Sequence, residues 1–261
     1  MEKNLVTADI TATRPDWTTD RLTTRIVHLG CGAFHRAHQA LYTHHVLEKT
    51  DSDWGYCEVN LMSAQDAALI EGLKAQSMLY TVAEKGADNT ELKIIGSMKE
   101  AMHPLIDGID AVIEKMASPY VSIVSLTVTE KGYCTDPATG QLDPENALIK
   151  QDLATPETPR SAIGYITAAL KRRHERGLPP FTVLSCDNVR ENGHVAREAV
   201  LARRGYRIRR WRRGLKPMSR SRAPWLTALS RRPPRKHWRK SRSCWERRIT
   251  VLSPVSRSAS G

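Results

Sequence analysis

The sequence predicts an α/β fold over residues 25–200, with a Rossmann-like and largely parallel sheet. Short β-branched runs alternate there with segments of helical spacing, which is the pattern of a parallel sheet covered by helices. The first run, residues 25–29, leads directly into Gly30-Cys31-Gly32 and then into a helical segment. A strand that ends in such a turn is typical of the nucleotide-binding end of an α/β sheet.

The strands and helices follow one another in a regular order. Apolar or β-branched runs bounded by polar turns predict strands over residues 25–29, 56–62, 78–82, 91–95, 120–128 and 181–186. Apolar residues at helical spacing predict helices over residues 33–49, 64–74, 108–116 and 156–176. The last of these helices ends before Gly177-Leu178-Pro179-Pro180, because glycine and proline stop a helix.

Charge divides the chain near residue 200. Residues 201–261 hold 20 of the 40 Lys and Arg side chains and a single acid, Glu246, so their net charge is +19, whereas residues 1–200 carry −7. Four of the six Trp lie among these charges without an apolar stripe. We expect an N-terminal extension over 1–24, the α/β domain over 25–200, and a disordered basic tail over 201–261.

Composition disfavours secreted and membrane proteins. The residues before Arg25 contain no apolar run of the kind found in a signal peptide. No segment approaches the roughly 18 apolar residues that a membrane span needs. The five cysteines form no Cys-x-x-Cys pair, which suits a reducing compartment. We therefore expect a cytoplasmic protein with no membrane partner.

The segment Gly30-Cys31-Gly32-Ala33-Phe34 is the candidate cofactor site. The first glycine permits a tight turn, the second lets the backbone approach a pyrophosphate, and the helix start adds a positive dipole. His35 stands where the third glycine of the fingerprint belongs, so an ordinary strand–turn–helix is an equal alternative. The acids that could hold the ribose are Glu58, within the second strand, and Asp66, for which a helix-start role is the alternative.

Histidines are frequent near this turn, at His28, His35, His38, His44 and His45. His35 and His38 could share one helix face, but no acid follows at a spacing suited to metal ligation. We therefore expect no metal site.

Polar clusters follow two of the predicted buried strands. One runs over residues 127–133, and the other runs over residues 185–193. Since ligand crevices in open α/β sheets form at the carboxyl ends of the strands, both clusters are candidate site segments. Tight-turn chemistry is the equal alternative, because Lys-Gly and Asn-Gly pairs favour turns.

Three motifs, in this order, resemble the polyol-specific long-chain (mannitol) dehydrogenase family: residues 28–38, residues 129–133, and Ser185-Cys186-Asp187-Asn188 followed by Asn192-Gly193. The resemblance covers about residues 20–200 and is strongest to the fructuronate reductase branch. In that family Phe-His-Arg-Ala-His replaces the third glycine. The resemblance implies an NAD-binding Rossmann-like domain and hydride transfer between D-fructuronate and D-mannonate. It also implies that Asn188 polarises the substrate carbonyl, and that Asp187 and Asn192 contact the sugar acid.

The resemblance implies parts that the sequence lacks. The family's general acid/base is a lysine in a Lys-x4-Asn-x2-His motif on a helical C-terminal substrate domain, and this pattern occurs nowhere in the 261 residues. Codons permitted for residues 216–230 and 253–261 can spell family sequence when they are read with a one-base offset. We therefore expect a frameshift near codons 200–202, an incomplete Rossmann-like domain without its substrate domain, and negligible turnover.

Two further interpretations stay open. The chain could be a cofactor-binding fragment without catalysis, or a nucleic-acid-binding protein whose basic, Trp-containing tail contacts phosphates and stacks on bases. Nineteen net positive charges in the tail would bind polyanions nonspecifically in either case.

Overall fold

The computed structural model describes residues 12–85, 90–136, 139–212 and 248–252. Its centre is a parallel sheet whose strands are β1 (Thr23–Leu29), β2 (Trp54–Val59), β5 (Met98–Met102), β6 (Ile123–Leu126) and β7 (Thr182–Ser185). The strand order is β5-β2-β1-β6-β7. The predicted α/β fold with a parallel, Rossmann-like sheet is confirmed.

A second, antiparallel sheet accompanies the parallel one. It contains β3 (Tyr80–Lys85), β4 (Thr90–Ile95) and β8 (Arg248–Leu252), in the order β4-β3-β8. The helices are α1 (Ala33–Ala37), α2 (Gln39–Lys49), α3 (Ala64–Ala75), α4 (Pro104–Asp107), α5 (Ile109–Ala117), α6 (Thr129–Gly132), α7 (Ala147–Ala154), α8 (Ala162–Glu175) and α9 (Asn192–Arg212). Within the described residues, no helix is long and apolar enough to cross a membrane.

Two apolar clusters bury the central sheet on both faces. Val27 and Leu29 of β1 pack on one face with apolar residues of α5, α8 and α9. Ile26 of β1 and Tyr56 of β2 pack on the other face with residues of α2, α3 and β3. Successive side chains of a strand point to opposite faces, so a strand covered on both sides is apolar along most of its length.

The strand order places a crevice beside the Gly-x-Gly turn. β2 and β5 lie on one side of β1, and β6 and β7 lie on the other. Leu29 is in register with Leu126, so β1 and β6 end at the same edge of the sheet. In open α/β sheets, ligands bind where the strand order reverses in this way, outside the carboxyl ends of the strands.

The structure differs from the sequence prediction in several elements, of which three bear on the domain. β5 was not predicted, because Met98-Lys99-Glu100-Ala101-Met102 lacks β-branched residues, yet the strand pairs with β2 through backbone hydrogen bonds. The helix predicted over 156–176 begins at Ala162, after Ser161, whose side chain accepts a hydrogen bond from the Gly164 N–H. α9 was also not predicted from the sequence.

Two parts of the region predicted to be disordered have secondary structure. α9 continues to Arg212, and β8 pairs antiparallel with β3. The buried Arg203 forms an ion pair with the buried Asp152, with 3.7 Å between Nε and Oδ2. The domain therefore includes at least the first residues after Val200, and the remainder of the predicted tail lies outside the described residues.

Stability should depend on pH through His44, which is buried beneath the N-terminal segment. Its Nδ1 accepts a hydrogen bond from the Gly96 N–H, and burial lowers its pKa to about 4 despite the nearby Glu48. An unfolded histidine has a pKa of about 6.5, so the unfolded chain binds the proton first. The free energy of unfolding should therefore fall as the pH drops from about 6.5 to about 4.

Urea unfolding at successive pH values measures this dependence. His44→Gln keeps an acceptor for the Gly96 N–H but cannot titrate, so its stability should fall less steeply over the same pH window. Equal slopes for the wild type and the variant would show that His44 does not carry the effect.

Candidate functional site

Two adjoining cavities occupy the crevice at the carboxyl ends of the strands. The first, of about 550 Å³, lies against the Gly-x-Gly turn and the residues that follow β2. The second, of about 800 Å³, lies between the start of α1 and the segment after β7. Both cavities are lined by Gly32, Thr127, Thr129 and Lys131, so these residues form the boundary where the two cavities meet.

Backbone geometry and three hydrogen bonds fix the Gly-x-Gly turn. Gly30 has φ +107°, a region that glycine enters readily and other residues rarely adopt. The Cys31 N–H donates to Asn60 Oδ1 at 2.7 Å, which ties the turn to the end of β2. Thr127 Oγ1 donates to the Gly30 carbonyl at 2.8 Å, and the Gly32 N–H donates to the same carbonyl at 2.7 Å. The turn is thus held by residues from both neighbouring strands.

Most of the predicted cofactor residues come together at these cavities. Gly30, Cys31 and Gly32 line the first cavity, and Gly32, Ala33 and Phe34 line the second. Gly32 is exposed, and a Cβ added to it would meet only the Gly30 carbonyl oxygen, at 3.9 Å. The wall at Gly32 is therefore open backbone that a ligand can approach closely.

The two candidate ribose acids lie in different places. Asp66 lines the first cavity, but its carboxylate also accepts hydrogen bonds from the Ser63 N–H at 3.0 Å and the Ser63 hydroxyl at 2.9 Å. This is a capping box that starts α3, so the helix-start role weighed for Asp66 is present in the structure. Glu58 is fully buried, and the structure does not bring it to the cavity wall.

Glu58 instead belongs to a buried polar network beneath the turn. Its Oε1 lies 2.9 Å from His35 Nε2, and the rings of His35 and His28 stack with centroids 3.5 Å apart. His28 Nε2 contacts Thr127 Oγ1 at 2.8 Å, and its Nδ1 contacts Ser125 Oγ at 2.7 Å. Burial and the neighbouring His35 lower the pKa of His28, so it is neutral in the folded protein at pH 7.

This network places an acid, Glu58, beside two histidines, which the spacing of residues along the sequence did not reveal. One ligand atom each from His28, His35 and Glu58 lie within 4.8 Å of one another. Imidazole lone pairs lie in the ring planes, however, and the two rings are stacked at 13°, so their nitrogens do not converge on one point. Each ring nitrogen also has a hydrogen-bond partner already. The arrangement favours a hydrogen-bonded support for the turn, and the expectation of no metal site stays a prediction.

Cys31 lies in the turn but is not a reactive thiol. Burial raises its pKa well above the ordinary value, and the nearby Glu58 raises it further. A nucleophilic cysteine needs the opposite shift, because only the thiolate reacts.

The three residues after β7 have distinct positions. Asn188 lines the second cavity and is exposed, and it forms no side-chain hydrogen bond with any residue that the structure describes. Asp187 lines the same cavity, but its carboxylate accepts hydrogen bonds from three groups of the segment that follows β6. Asn192 Nδ2 donates to the carbonyls of Ser185 and Asp187, at 3.2 and 3.0 Å. Of these three predicted residues, Asn188 has the side chain that is available to a ligand.

The structure adds residues that the sequence analysis did not single out for the site. These are Asn60 and Arg36, which line the first cavity, whereas Thr127 and Lys131 come from the predicted cluster after β6 and lie between the two cavities. Thr127 follows β6, and Asn60 follows β2, so their position at strand ends was the available signal. Their contacts with Gly30 and Cys31 could not be read from spacing, because the partners are 97 and 29 residues apart.

Comparison with known proteins agrees with this geometry. Residues 24–214 match the family model described as the mannitol dehydrogenase Rossmann domain. The chain is 68% identical over 197 residues to the D-mannonate oxidoreductase of Escherichia coli strain K12, which covers 76% of this chain and 40% of that protein. It is 43% identical over 178 residues to the mannitol 2-dehydrogenase of Pyrenophora tritici-repentis, with 68% and 31% covered.

A solved structure gives the same result. The ternary complex of Pseudomonas fluorescens mannitol 2-dehydrogenase with NAD and D-mannitol matches with a TM-score of 0.72 and 39% identity, covering 77% of this chain and 42% of that one. The chain thus spans about 40% of the length of the D-mannonate oxidoreductase and about 42% of the solved dehydrogenase. Because residues 24–214 match this family model and form the parallel sheet, the chain belongs to the mannitol dehydrogenase family and contains that family's Rossmann domain.

Proposed function

We propose that this chain binds NAD(H) in the first cavity, as the cofactor-binding part of an oxidoreductase that interconverts D-mannonate and D-fructuronate. The observation that carries the proposal is the open backbone at Gly32, between two adjoining cavities at the reversal of strand order. The 68% identity to a D-mannonate oxidoreductase supports the sugar acid, and the NAD in the related mannitol 2-dehydrogenase complex supports the cofactor.

The residues present fit a dinucleotide that extends along the boundary of the two cavities. Gly30 permits the tight turn, Gly32 lets the backbone approach the pyrophosphate, and Asn60 and Asp66 stand at the wall where a ribose would lie. When bound, NAD accepts or supplies the hydride. The second cavity then receives the sugar acid, where the amide of Asn188 donates a hydrogen bond to the reacting oxygen. The exposed Lys131 adds positive charge near an anionic substrate.

Catalysis also needs a general acid/base, and we assign this role to none of these 261 residues. The lysine implied by family resemblance would hold or move the proton at the substrate hydroxyl, and general acid/base assistance contributes about 10²–10⁴ in rate. We expect the chain alone to bind NADH yet to show negligible turnover of D-fructuronate. NADH binding without turnover therefore fits the proposal, whereas no NADH binding would contradict it.

Gly32→Val tests the cofactor site directly. Its φ of −82° is allowed for valine, and an added Cβ meets no atom closer than 3.9 Å, so stability should change by less than about 1 kcal/mol. The isopropyl group would nevertheless fill the space next to the open backbone, so NADH affinity should fall by about tenfold or more. Fluorescence titration with NADH measures the affinity, and urea unfolding measures the stability. Unchanged affinity in a folded variant would place the cofactor elsewhere.

We also propose that most of residues 201–261 is read from a shifted frame. Support comes from the similarity to the D-mannonate oxidoreductase, which extends over 197 residues, although the family match continues to residue 214 and Arg203 is buried. The frame change would then lie near codons 200–214. Sequencing the coding DNA tests this: the offset frame should encode family sequence over codons 216–230 and 253–261, and stop codons or unrelated sequence there would contradict the proposal.

The charge of the basic tail does not by itself support a separate function. Its charge should bind polyanions in a salt-dependent way whatever its origin. Only a preference for a particular nucleic-acid sequence or structure would support a nucleic-acid-binding role.

A further inference from the structure

Arg36 is an unusual side chain at the cofactor site. It belongs to α1, is only 5% exposed, and lines the first cavity. Its Nε donates to the Gly32 carbonyl at 3.4 Å, a long hydrogen bond. Its Nη1 is buried and has no hydrogen-bond partner among the residues that the structure describes. A guanidinium is always charged, so this is a cation held away from water with an unused donor.

The acid nearby does not neutralise this cation by direct contact. Glu58 and Arg36 shift the pKa of Cys31 in opposite directions, so both lie close to that thiol. Glu58 Oε1 is bonded to His35, Glu58 Oε2 is buried without a hydrogen-bond partner, and no ion pair joins Glu58 to Arg36 in the described part of the chain. Burying a charge is costly unless it is paired and hydrogen-bonded. The cavity next to Arg36 is therefore the place where an anion would supply the missing acceptor.

We propose that Arg36 binds the pyrophosphate of the dinucleotide, an inference that rests on the proposed NAD(H) site. The usual charge partner of a pyrophosphate in this fold is a helix start with a third glycine. Here α1 has only five residues, and His35 occupies the place of that glycine, so little helix dipole is available. Arg36 provides the positive charge instead, one turn from Gly32 and on the same cavity wall.

The chemistry of arginine suits this role. Its planar group presents several N–H donors in a fixed arrangement that matches two oxygens of a phosphate. Nη1 is closed off from solvent in the unliganded chain, so binding includes a turn of the guanidinium about its side-chain torsions. The contact with Gly32 positions the group at the turn, which assigns it to the pyrophosphate in preference to a phosphate on the ribose.

The experiment compares four probes on the full chain: NADH, NADPH, ADP and adenosine. Arg36→Met keeps most of the apolar stem and removes the charge. It should weaken NADH and ADP binding by about tenfold or more, because a charged hydrogen bond is lost, and leave adenosine binding unchanged. Lys49→Met removes one exposed charge from α2 and should leave the affinities for all four probes as they are. Arg36→Gln should show the same losses and replaces Arg36→Met if that variant does not fold.

The outcomes separate this inference from the proposed function. Unchanged NADH and ADP affinities in a folded Arg36 variant would overturn the role of Arg36 while leaving NAD binding intact. A loss confined to NADPH would also overturn it, since Arg36 would then bind a ribose phosphate. Wild-type binding of ADP through Arg36 without binding of NADH would refute the proposed function alone. If the wild type bound neither NADH nor ADP, the role of Arg36 and the proposed function would both be refuted.

Discussion

Gly30→Ala should lower the free energy of unfolding by about 3 kcal/mol or more, and in a domain of ordinary stability this leaves little folded protein. Gly30 adopts φ +107°, which is strained for alanine whatever the surrounding space. The added Cβ would also collide with the carbonyl of Thr127, whose carbon atom would lie 2.9 Å away. This neighbour is backbone of the segment after β6, so it cannot move aside as a flexible side chain would.

Gly32→Ala is the matched control, two residues along the same turn. Gly32 has φ −82° and open space around the position of a Cβ, so its stability should stay within about 1 kcal/mol of the wild type. Urea unfolding followed by circular dichroism compares the two variants. A stable Gly30→Ala protein would mean that β1 and β6 do not approach as closely at the turn as the structure shows.

The contrast between the two glycines marks what the sequence could predict. The Gly-x-Gly spacing after a strand was enough to predict the turn, and its role near a cofactor stays a prediction. It could not separate the glycine required for folding from the one that faces the cavities. That distinction depends on Thr127, which lies 97 residues away along the chain and becomes a neighbour only because β6 pairs with β1.

Long-range partners also explain what the sequence did not predict. Glu58 reads as a candidate ribose acid because it lies in the second strand, but alternation along β2 turns its side chain into the core, towards His35. In the sequence, Arg36 is only one residue of a motif. Among the described residues its buried Nη1 has no hydrogen-bond partner, which can be seen only once the chain is folded around the cavity. β5 was missed because its pairing with β2 forms it, although its residues have weak strand propensity.

Asp187→Ala should destabilise the domain by about 3–5 kcal/mol, and the effect should be structural before it is catalytic. The carboxylate accepts hydrogen bonds from the Val128 N–H at 3.1 Å, the Thr129 N–H at 2.9 Å and the Tyr133 hydroxyl at 2.6 Å. It thus joins the end of β7 to the segment after β6. Removing it leaves the Val128 and Thr129 N–H groups without this acceptor, and the buried Tyr133 hydroxyl keeps only its contact with Ser185 Oγ.

Tyr133 shows how strongly this interaction depends on the carboxylate. Burial and the neighbouring Asp187 raise the pKa of the Tyr133 hydroxyl, so it stays protonated and serves as a donor to the carboxylate. Asp187→Asn keeps one acceptor oxygen but turns an NH₂ group towards the other donors, so its loss of stability should be intermediate.

Glu130→Ala is the control for Asp187→Ala, because Glu130 lines the same cavity but is exposed. Its free energy of unfolding should change by no more than about 0.5 kcal/mol. Urea unfolding of Asp187→Ala, Asp187→Asn and Glu130→Ala ranks the three variants by their loss of stability. The substrate-contact role that family resemblance implies for Asp187 predicts a different ranking. A residue that mainly binds the sugar acid could be replaced by alanine with little loss of stability. A stable Asp187→Ala chain would therefore favour substrate contact over the structural role that its three hydrogen bonds indicate.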